Sequence, residues 1–183
     1  MEITKTNNLQ KTLKYFLVIF LGTILLTLSA KIKIPFYPVP MTMQTFLVIF
    51  FGIAFGYKIA LATVGLYLLE GILGFPVFSN SPERGVGIIY FTGPTMGYLI
   101  GFLSATYLAS KISNKDHLVK IIAKLTFAVS TIYILGVLWL GILIGWDKPL
   151  FNLGIAPFLL AELFKILLLA FLTKKIIKFR KFI

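Results

Sequence analysis

The sequence contains no cysteine, a single histidine and only 6 acidic residues among 183. Without cysteine the chain forms no disulfide, no thiolate metal site and no cysteine nucleophile. The lone His117 has no second histidine with which to bind a metal, and it offers no base to a serine in the apolar segments. The phosphate-loop pattern G-x-x-x-x-G-K-S/T is also absent, so the chain has no such loop for nucleotide hydrolysis. These absences favour a protein that binds a ligand and is not an enzyme.

Charge is scarce as well, at 13% of residues against roughly 25% in soluble domains. Hydrophobic residues make up 58% and the mean hydropathy is +0.96. Four uncharged runs approach or exceed the roughly 20 residues that a helix needs to cross a bilayer, namely 15–30, 34–57, 85–110 and 125–146. Two more, 59–69 and 149–173, are interrupted or bounded only by Glu70 and by the pair Glu162 and Lys165. The composition therefore predicts an integral, multi-pass protein in contact with the lipid bilayer.

We predict an all-α membrane protein with a single domain and an outer substrate cavity. Its six transmembrane helices are expected at about 12–30, 42–56, 58–73, 94–111, 118–145 and 156–175. The first run is too long for the apolar part of a signal peptide, so it is expected to stay as a helix. Residues 31–40 contain three prolines and predict a non-helical outer loop. Residues 74–93 are irregular and polar in the middle, which predicts a substrate loop folded into the outer mouth.

The distribution of basic residues predicts the orientation of these helices. With both termini in the cytoplasm, thirteen of the 18 Lys and Arg residues lie on the inner side. Four lie outside and one, Lys165, lies within the membrane. This asymmetry follows the rule that cytoplasmic loops are enriched in Lys and Arg. The net charge of +12 therefore does not indicate nucleic-acid binding, because the charges do not line one face.

The acid and base within the last apolar run are the first candidates for a functional site. Glu162 and Lys165 are three residues apart, so they share a helix face and can pair. Each charge near a bilayer centre costs roughly 2.5–3.5 kcal/mol, which makes such residues functional candidates. Their expected depth is the outer half of the membrane, level with Glu70, Asn80 and Arg84. The alternative is a self-neutralised pair with no ligand.

Other polar and small residues surround the same outer region. Gln44 enters an apolar helix after the proline-rich loop, and Tyr98 belongs to a cluster of outer aromatic residues. The aromatic cluster is equally typical of the belt found in any membrane protein. Gly93, Gly97 and Gly101 recur every fourth residue, which favours close helix packing over direct ligand contact. Together these residues predict a small apolar cavity with a few hydrogen-bonding groups.

Four stretches resemble the BioY family, the biotin-binding S-components of energy-coupling-factor (ECF) transporters. They are PVPMTMQT (38–45), GLYLLEGILGFPVF (65–78), GPTMGYLIGF (93–102) and GIAPFLLAELFK (154–165). The stretches occur in the family order, and the resemblance covers about residues 12–175. It implies an integral protein of the prokaryotic plasma membrane that captures biotin from outside with high affinity.

The resemblance also implies partners and binding residues. In the family an ECF module of a transmembrane coupling protein and two ATPases usually supplies the energy, while some members work without a module of their own. ATP is therefore expected to be used only by partner subunits, and no cofactor is expected. The implied ligand contacts are Glu162, Lys165, Asn80 and Arg84, with Tyr98 and Gln44 as further candidates. The acid and lysine match the ureido ring of biotin, and Arg84 matches its carboxylate.

The sequence departs from the family pattern at three places. Glu162 stands where members commonly carry Asp, and Glu70 stands where an apolar residue is expected. The first helix lacks the A-x-x-x-A face of S-components, and Thr23 with Thr27 is the nearest equivalent. Two other functions remain open. One is a proton- or ion-coupled permease that uses Glu162 and Lys165 as a relay, and the other is a membrane scaffold that transports nothing.

Overall fold

The computed structural model describes residues 2–182, with side chains from residue 9 onward. Most of the chain is helical, as predicted. The helices are α1 (Glu2–Lys31), α2 (Gln44–Ile72), α3 (Met96–Ser110), α4 (Leu118–Ile144), α5 (Leu150–Gly154) and α6 (Leu159–Ile176).

 3-10 turns occupy Gly87–Thr92, Ala156–Phe158 and Ile177–Lys181.

One short strand pair modifies the all-α prediction. Strands β1 (Lys33–Ile34) and β2 (Met41–Thr42) pair antiparallel within the proline-rich loop. The prolines prevent helix formation there, and the extended residues on either side of them satisfy each other's backbone groups instead. The loop between α1 and α2 is therefore a small hairpin.

Helix α2 is broken at Gly56, whose backbone angles are φ 72° and ψ 174°. Glycine adopts a positive φ without steric cost. In a straight helix Gln44 and Tyr67 would be roughly 34 Å apart, at 1.5 Å per residue. Instead, the Gln44 Nε2 atom donates a hydrogen bond of 2.7 Å to the Tyr67 hydroxyl. The two arms of α2, residues 44–55 and 57–72, therefore fold back on each other at Gly56.

Helices α3 and α4 pack backbone to backbone. A Cβ atom added at Gly101 would lie 2.7 Å from the Cα atom of Ile132, and one added at Gly97 would overlap the carbonyl of Leu135. Small residues permit this close approach between helices in a membrane. Gly97 and Gly101 thus serve packing, which is the role that their spacing favoured.

Within the described residues 2–182, four helical segments are long and apolar enough to cross a membrane. They are Leu9–Lys31, Gln44–Ile72, Leu118–Ile144 and Leu150–Lys181, and α3 is a shorter apolar helix. Large apolar side chains on these segments are exposed, among them Phe20, Ile142 and Phe171. Such a surface is unfavourable in water and is solvated by lipid in a bilayer. The chain is an integral membrane protein.

The loops lie at two ends of the helical bundle. One end comprises residues 31–43, 73–95 and 145–158, and we call it the pocket end after the cavity described below. The other, the far end, comprises residues 56–58, 111–117 and 177–182. At the pocket end, the Lys31 Nζ atom donates hydrogen bonds of 2.8 Å to the carbonyls of Phe78 and Ser81. The hairpin loop and the loop after α2 are therefore held together above the helices.

Candidate substrate-binding site

A pocket with an empty volume of about 540 Å³ lies beneath the two loops of the pocket end. The apolar part of its lining includes Phe78, Tyr90, Leu99, Phe102 and Phe158. The polar part consists of Thr42, Gln44, Thr45, Ser79, Thr95 and Glu162, with the hydroxyls of the lining tyrosines. We call this cavity the central pocket.

The acid and base of α6 form a closed triangle with one threonine. The Glu162 Oε1 atom accepts a hydrogen bond of 2.8 Å from the Lys165 Nζ atom and another of 2.8 Å from the Thr45 hydroxyl. The Thr45 hydroxyl in turn accepts a bond of 2.9 Å from Lys165. All three residues are buried. The triangle joins α6 to the first arm of α2 beside the central pocket.

The two charged groups of this triangle differ in how completely they are bonded. The Lys165 ammonium has three N–H donors, and its third bond, of 2.7 Å, goes to the carbonyl of Thr42. The Glu162 Oε2 atom is buried and has no hydrogen-bond partner within residues 2–182. A buried carboxylate oxygen without a donor is costly. Glu162 Oε2 is therefore the hydrogen-bond acceptor that remains for a ligand, whereas all three N–H donors of Lys165 are already bonded within the protein.

Gln44 connects the pocket wall to the loop after α2. Its side-chain amide donates to the Tyr67 hydroxyl, which donates in turn to the carbonyl of Val77 at 3.2 Å. The Gln44 Oε1 atom accepts a hydrogen bond of 3.2 Å from the Thr42 hydroxyl. Gln44 thus lines the central pocket while it fixes the position of both neighbouring segments.

Tyr98 forms a wall of the same pocket from α3. Its hydroxyl donates a hydrogen bond of 3.0 Å to the carbonyl of Gly154 at the end of α5. Its ring packs on Gly136, where any side chain would overlap it. Since the hydroxyl is already bonded, Tyr98 contributes ring surface to the pocket.

Asn80 and Arg84 lie beside the central pocket, in a smaller cavity of about 200 Å³. The Asn80 Oδ1 atom accepts a hydrogen bond of 3.0 Å from Lys33. An Arg84 Nη1 atom donates one of 2.9 Å to the carbonyl of Pro38, and the guanidinium lies 5.6 Å from the centre of the Tyr37 ring. Arg84, Lys31 and Lys33 therefore connect the two loops that cover the site.

The comparisons with known proteins agree with the sequence motifs. The model of the BioY family matches residues 4–182. The chain belongs to the BioY family. A probable biotin transporter BioY of Pyrococcus horikoshii is 35% identical over 77% of this chain and 82% of its own length. The biotin transporter BioY of Thermotoga maritima is 31% identical over 85% of this chain and 91% of its own.

A solved structure has the same fold as this chain. The crystal structure at 2.1 Å of the S-component for biotin from an ECF-type ABC transporter has a TM-score of 0.74 to this chain. The sequences are 24% identical, and the match covers 92% of this chain and 93% of that one. Family membership confirms the prediction of a transport protein that is not an enzyme, and the shared fold confirms the S-component architecture.

The structure brings some of the predicted BioY site residues together and separates others. Gln44, Tyr98 and Glu162 line the central pocket, and Lys165 is bonded directly to Glu162. Asn80 and Arg84 line the adjoining small cavity, which shares Tyr90 and Thr95 with the central pocket. That these residues bind a ligand stays a prediction.

The sequence predicts the depth of Glu70 but not the side of the bundle on which it lies, and it assigns no role to two polar residues of the site. Glu70 lies on another side of the bundle, in a cleft that it shares with Phe20 and Phe75. Thr45 closes the Glu162 triangle, although its sequence position next to Gln44 does not indicate such a role. Tyr133 lines the pocket next to Glu162 and was not noticed. Its position on α4, facing α6, has no local sequence signal.

Proposed function

We propose that this protein takes up biotin as the high-affinity, substrate-binding membrane subunit of an ECF-type transporter. One observation carries the proposal beyond family membership. The buried Glu162 Oε2 atom has no donor within residues 2–182, and Glu162 lines a pocket whose walls are largely apolar. A ligand with an N–H donor and an apolar body satisfies both features, and biotin has both.

The ureido ring of biotin binds at the Glu162 end of the central pocket. One of its two N–H groups donates to Glu162 Oε2, in a charge-assisted bond that is stronger inside a dry pocket. Lys165 acts through Glu162, because its three donors already bond that carboxylate, the Thr45 hydroxyl and the Thr42 carbonyl. Lys165 is thus a positioning residue in this proposal, where the sequence suggested direct contact.

The other end of biotin points toward the roof of the pocket. Its carboxylate is bound by Arg84 with Asn80, whose cavity adjoins the central pocket at Tyr90 and Thr95. The thiophane ring and methylene chain contact the apolar walls, among them Phe78 and Tyr98. In this assignment the cationic Arg84 side chain pairs with the carboxylate, which is the only charged group of free biotin.

The membrane arrangement belongs to the same proposal. The chain crosses the membrane six times if each arm of α2 counts as one crossing, and both termini lie in the cytoplasm of a prokaryotic cell. The reversal at Gly56 and the clustering of basic residues at the far end support this arrangement. The pocket end then faces outward. A coupling protein and ATPase subunits of an ECF module complete the transporter.

Isothermal titration of the purified protein tests this function. We expect biotin to bind tightly, and biotin methyl ester to bind more weakly because it lacks the charge that Arg84 recognises. An Arg84→Gln variant should bind the acid and the ester with similar affinity. Absence of biotin binding by the wild-type protein would contradict the proposal and leave the permease and the scaffold as the alternatives.

A further inference from the structure

A second cavity adjoins the central pocket from the lipid side, and its role rests on the proposed biotin function. It lies between α4 and α6 and has an empty volume of about 1170 Å³. Its lining is nearly all apolar, with Ile134, Leu138, Leu159 and Leu163 about half exposed. We call it the lateral cleft. In a bilayer it opens toward the lipid chains.

The lateral cleft and the central pocket share two residues, Tyr133 and Glu162. All other lining residues belong to one cavity or the other. The wall between the ligand pocket and the lipid is therefore one side chain thick at this point. Glu162 is held in place by its triangle with Thr45 and Lys165. Tyr133 is the remaining part of the wall.

The Tyr133 ring is held by aromatic neighbours from the pocket side. It packs edge to face on Tyr98, with ring centres 6.0 Å apart, and at a tilt on Phe158, also at 6.0 Å. Tyr98 is itself fixed by its hydrogen bond to Gly154. Such pairs favour one orientation of the ring. The Tyr133 ring is therefore held in one orientation between the central pocket and the lateral cleft.

Helix α4 packs less closely against α6 than against α3. Gly97 and Gly101 let α3 touch the backbone of α4 directly. The residues that line the lateral cleft include no glycine, and they leave an open space between the helices. A ring at position 133 closes the inner side of this space, and a smaller side chain would join it to the pocket.

We propose that Tyr133 is a specificity-determining residue that excludes ligands with a substituent on the ureido nitrogen. In the proposed pose the nitrogen that donates to Glu162 Oε2 faces this wall, so an alkyl group on that nitrogen would both replace the donated hydrogen and collide with the Tyr133 ring. The lost hydrogen bond weakens such a derivative in the wild-type protein and in the Tyr133 variants alike, so a change in preference between them reports the ring. Without the ring the same group extends into the lateral cleft, whose lining is apolar. Tyr133 thereby restricts the site to ligands with a free ureido end and separates the bound ligand from lipid.

Three ligands and two variants test this partition by isothermal titration. The ligands are biotin, biotin with a butyl group on a ureido nitrogen, and biotin butyl ester. We expect Tyr133→Ala to reduce the preference for biotin over the N-butyl derivative by about tenfold or more, the size of effect that a few methylene groups have in an apolar pocket. Tyr133→Phe should keep the wild-type preference. The preference for biotin over the ester should be the same in all three proteins.

A cleft-filling substitution provides the matched control. Ile134 lines the lateral cleft but not the central pocket. Ile134→Phe alone should leave biotin binding unchanged, and in the Tyr133→Ala background it should abolish the gain for the N-butyl derivative. Tyr133→Leu gives the same expectation as Tyr133→Ala if the alanine variant does not fold.

The outcomes separate the two proposals. If the wild-type protein fails to bind biotin, the proposed function is wrong. If it binds biotin but neither small variant gains affinity for the N-butyl derivative relative to biotin, the partition is wrong. An equal gain for the N-butyl derivative and the ester, or a gain that survives Ile134→Phe, also overturns it.

Discussion

Two buried carboxylates at opposite ends of the bundle are bonded in different ways. At the far end, both oxygens of Asp116 have partners: Lys120 lies 3.2 Å from Oδ1, and Lys124 lies 2.6 Å from Oδ2. The backbone N–H of Ser113 also donates to Oδ2, at 2.9 Å. At the pocket end, Glu162 has two donors on Oε1, and no residue from 2 to 182 donates to Oε2.

The difference separates a structural acid from a candidate binding group. Asp116 needs nothing from outside the chain, because two cations and an amide already satisfy it. Glu162 lies within an apolar helix, where an unsatisfied acceptor is expensive, and its free oxygen lies at a pocket. An acid that is retained at such a cost is explained by a ligand that donates to it.

The largest expected effect on biotin binding follows from removing Lys165, the cation that pairs with Glu162. Lys165→Met leaves the Glu162 charge buried and uncompensated, a change that typically costs about 3–5 kcal/mol. Glu162 then takes up a proton or moves, so we expect biotin binding to be lost in isothermal titration. Lys174→Met is the matched control, because Lys174 is an exposed residue of the same helix. Wild-type affinity in Lys165→Met would contradict the role that we assign to the triangle.

The comparison of the two ends also shows what the sequence could predict. Glu162 and Lys165 stand out because charges are rare in apolar runs, and their spacing predicts the observed ion pair of 2.8 Å. The break at Gly56 was also predictable, since 41–69 is too long for one span and is interrupted by glycine and lysine. These features depend on local composition, which the sequence carries directly.

Other features depend on contacts between distant segments. The Thr45 hydroxyl meets Glu162 across 117 residues, and Lys31 meets the Ser81 carbonyl across 50. In the sequence Lys31 reads as an ordinary loop charge and Arg84 as a candidate ligand contact, although both bond backbone carbonyls of the opposite loop. No local pattern reveals such pairings, because they arise only when the helices are packed.

An intermediate effect is expected from the far end, where Arg180 lies against two helix ends. Its Nε atom donates to the carbonyl of Ile53 at 2.8 Å, and its Nη2 atom to that of Ser110 at 2.8 Å. A cation that bonds the last carbonyls of a helix is stabilising. Arg180→Met should therefore lower the free energy of unfolding by about 1–3 kcal/mol, the cost of leaving such acceptors unsatisfied.

Biotin affinity should not change in Arg180→Met, because Arg180 lies at the opposite end from the pocket. Thermal unfolding in detergent and isothermal titration measure the two properties separately. Lys178→Met, at an exposed position in the same terminal segment, should change neither. A loss of biotin affinity in Arg180→Met at unchanged stability would show that the two ends are coupled, against the separation argued here.

The smallest effect is expected from Asp116, and it depends on pH. The hydrogen bond from Lys124, followed by that from the Ser113 amide, holds the pKa of Asp116 well below its usual range. A lowered pKa in the folded state stabilises the protein above the pKa of the unfolded chain, about 3.9, and this contribution is lost as the pH falls through the folded pKa.

Asp116→Asn should accordingly lower the unfolding temperature at neutral pH by less than Arg180→Met does, since its cations are partly solvated. The difference from the wild-type protein should shrink as the pH falls below about 4, where Asp116 in the unfolded chain begins to take up protons while the folded carboxylate is still ionised. Biotin affinity should be unchanged at neutral pH, because every partner of Asp116 lies at the far end. A stability difference that stays constant across this pH range would mean that the Asp116 charge does not contribute to the stability of the folded protein. That result would contradict the structural role assigned to Asp116.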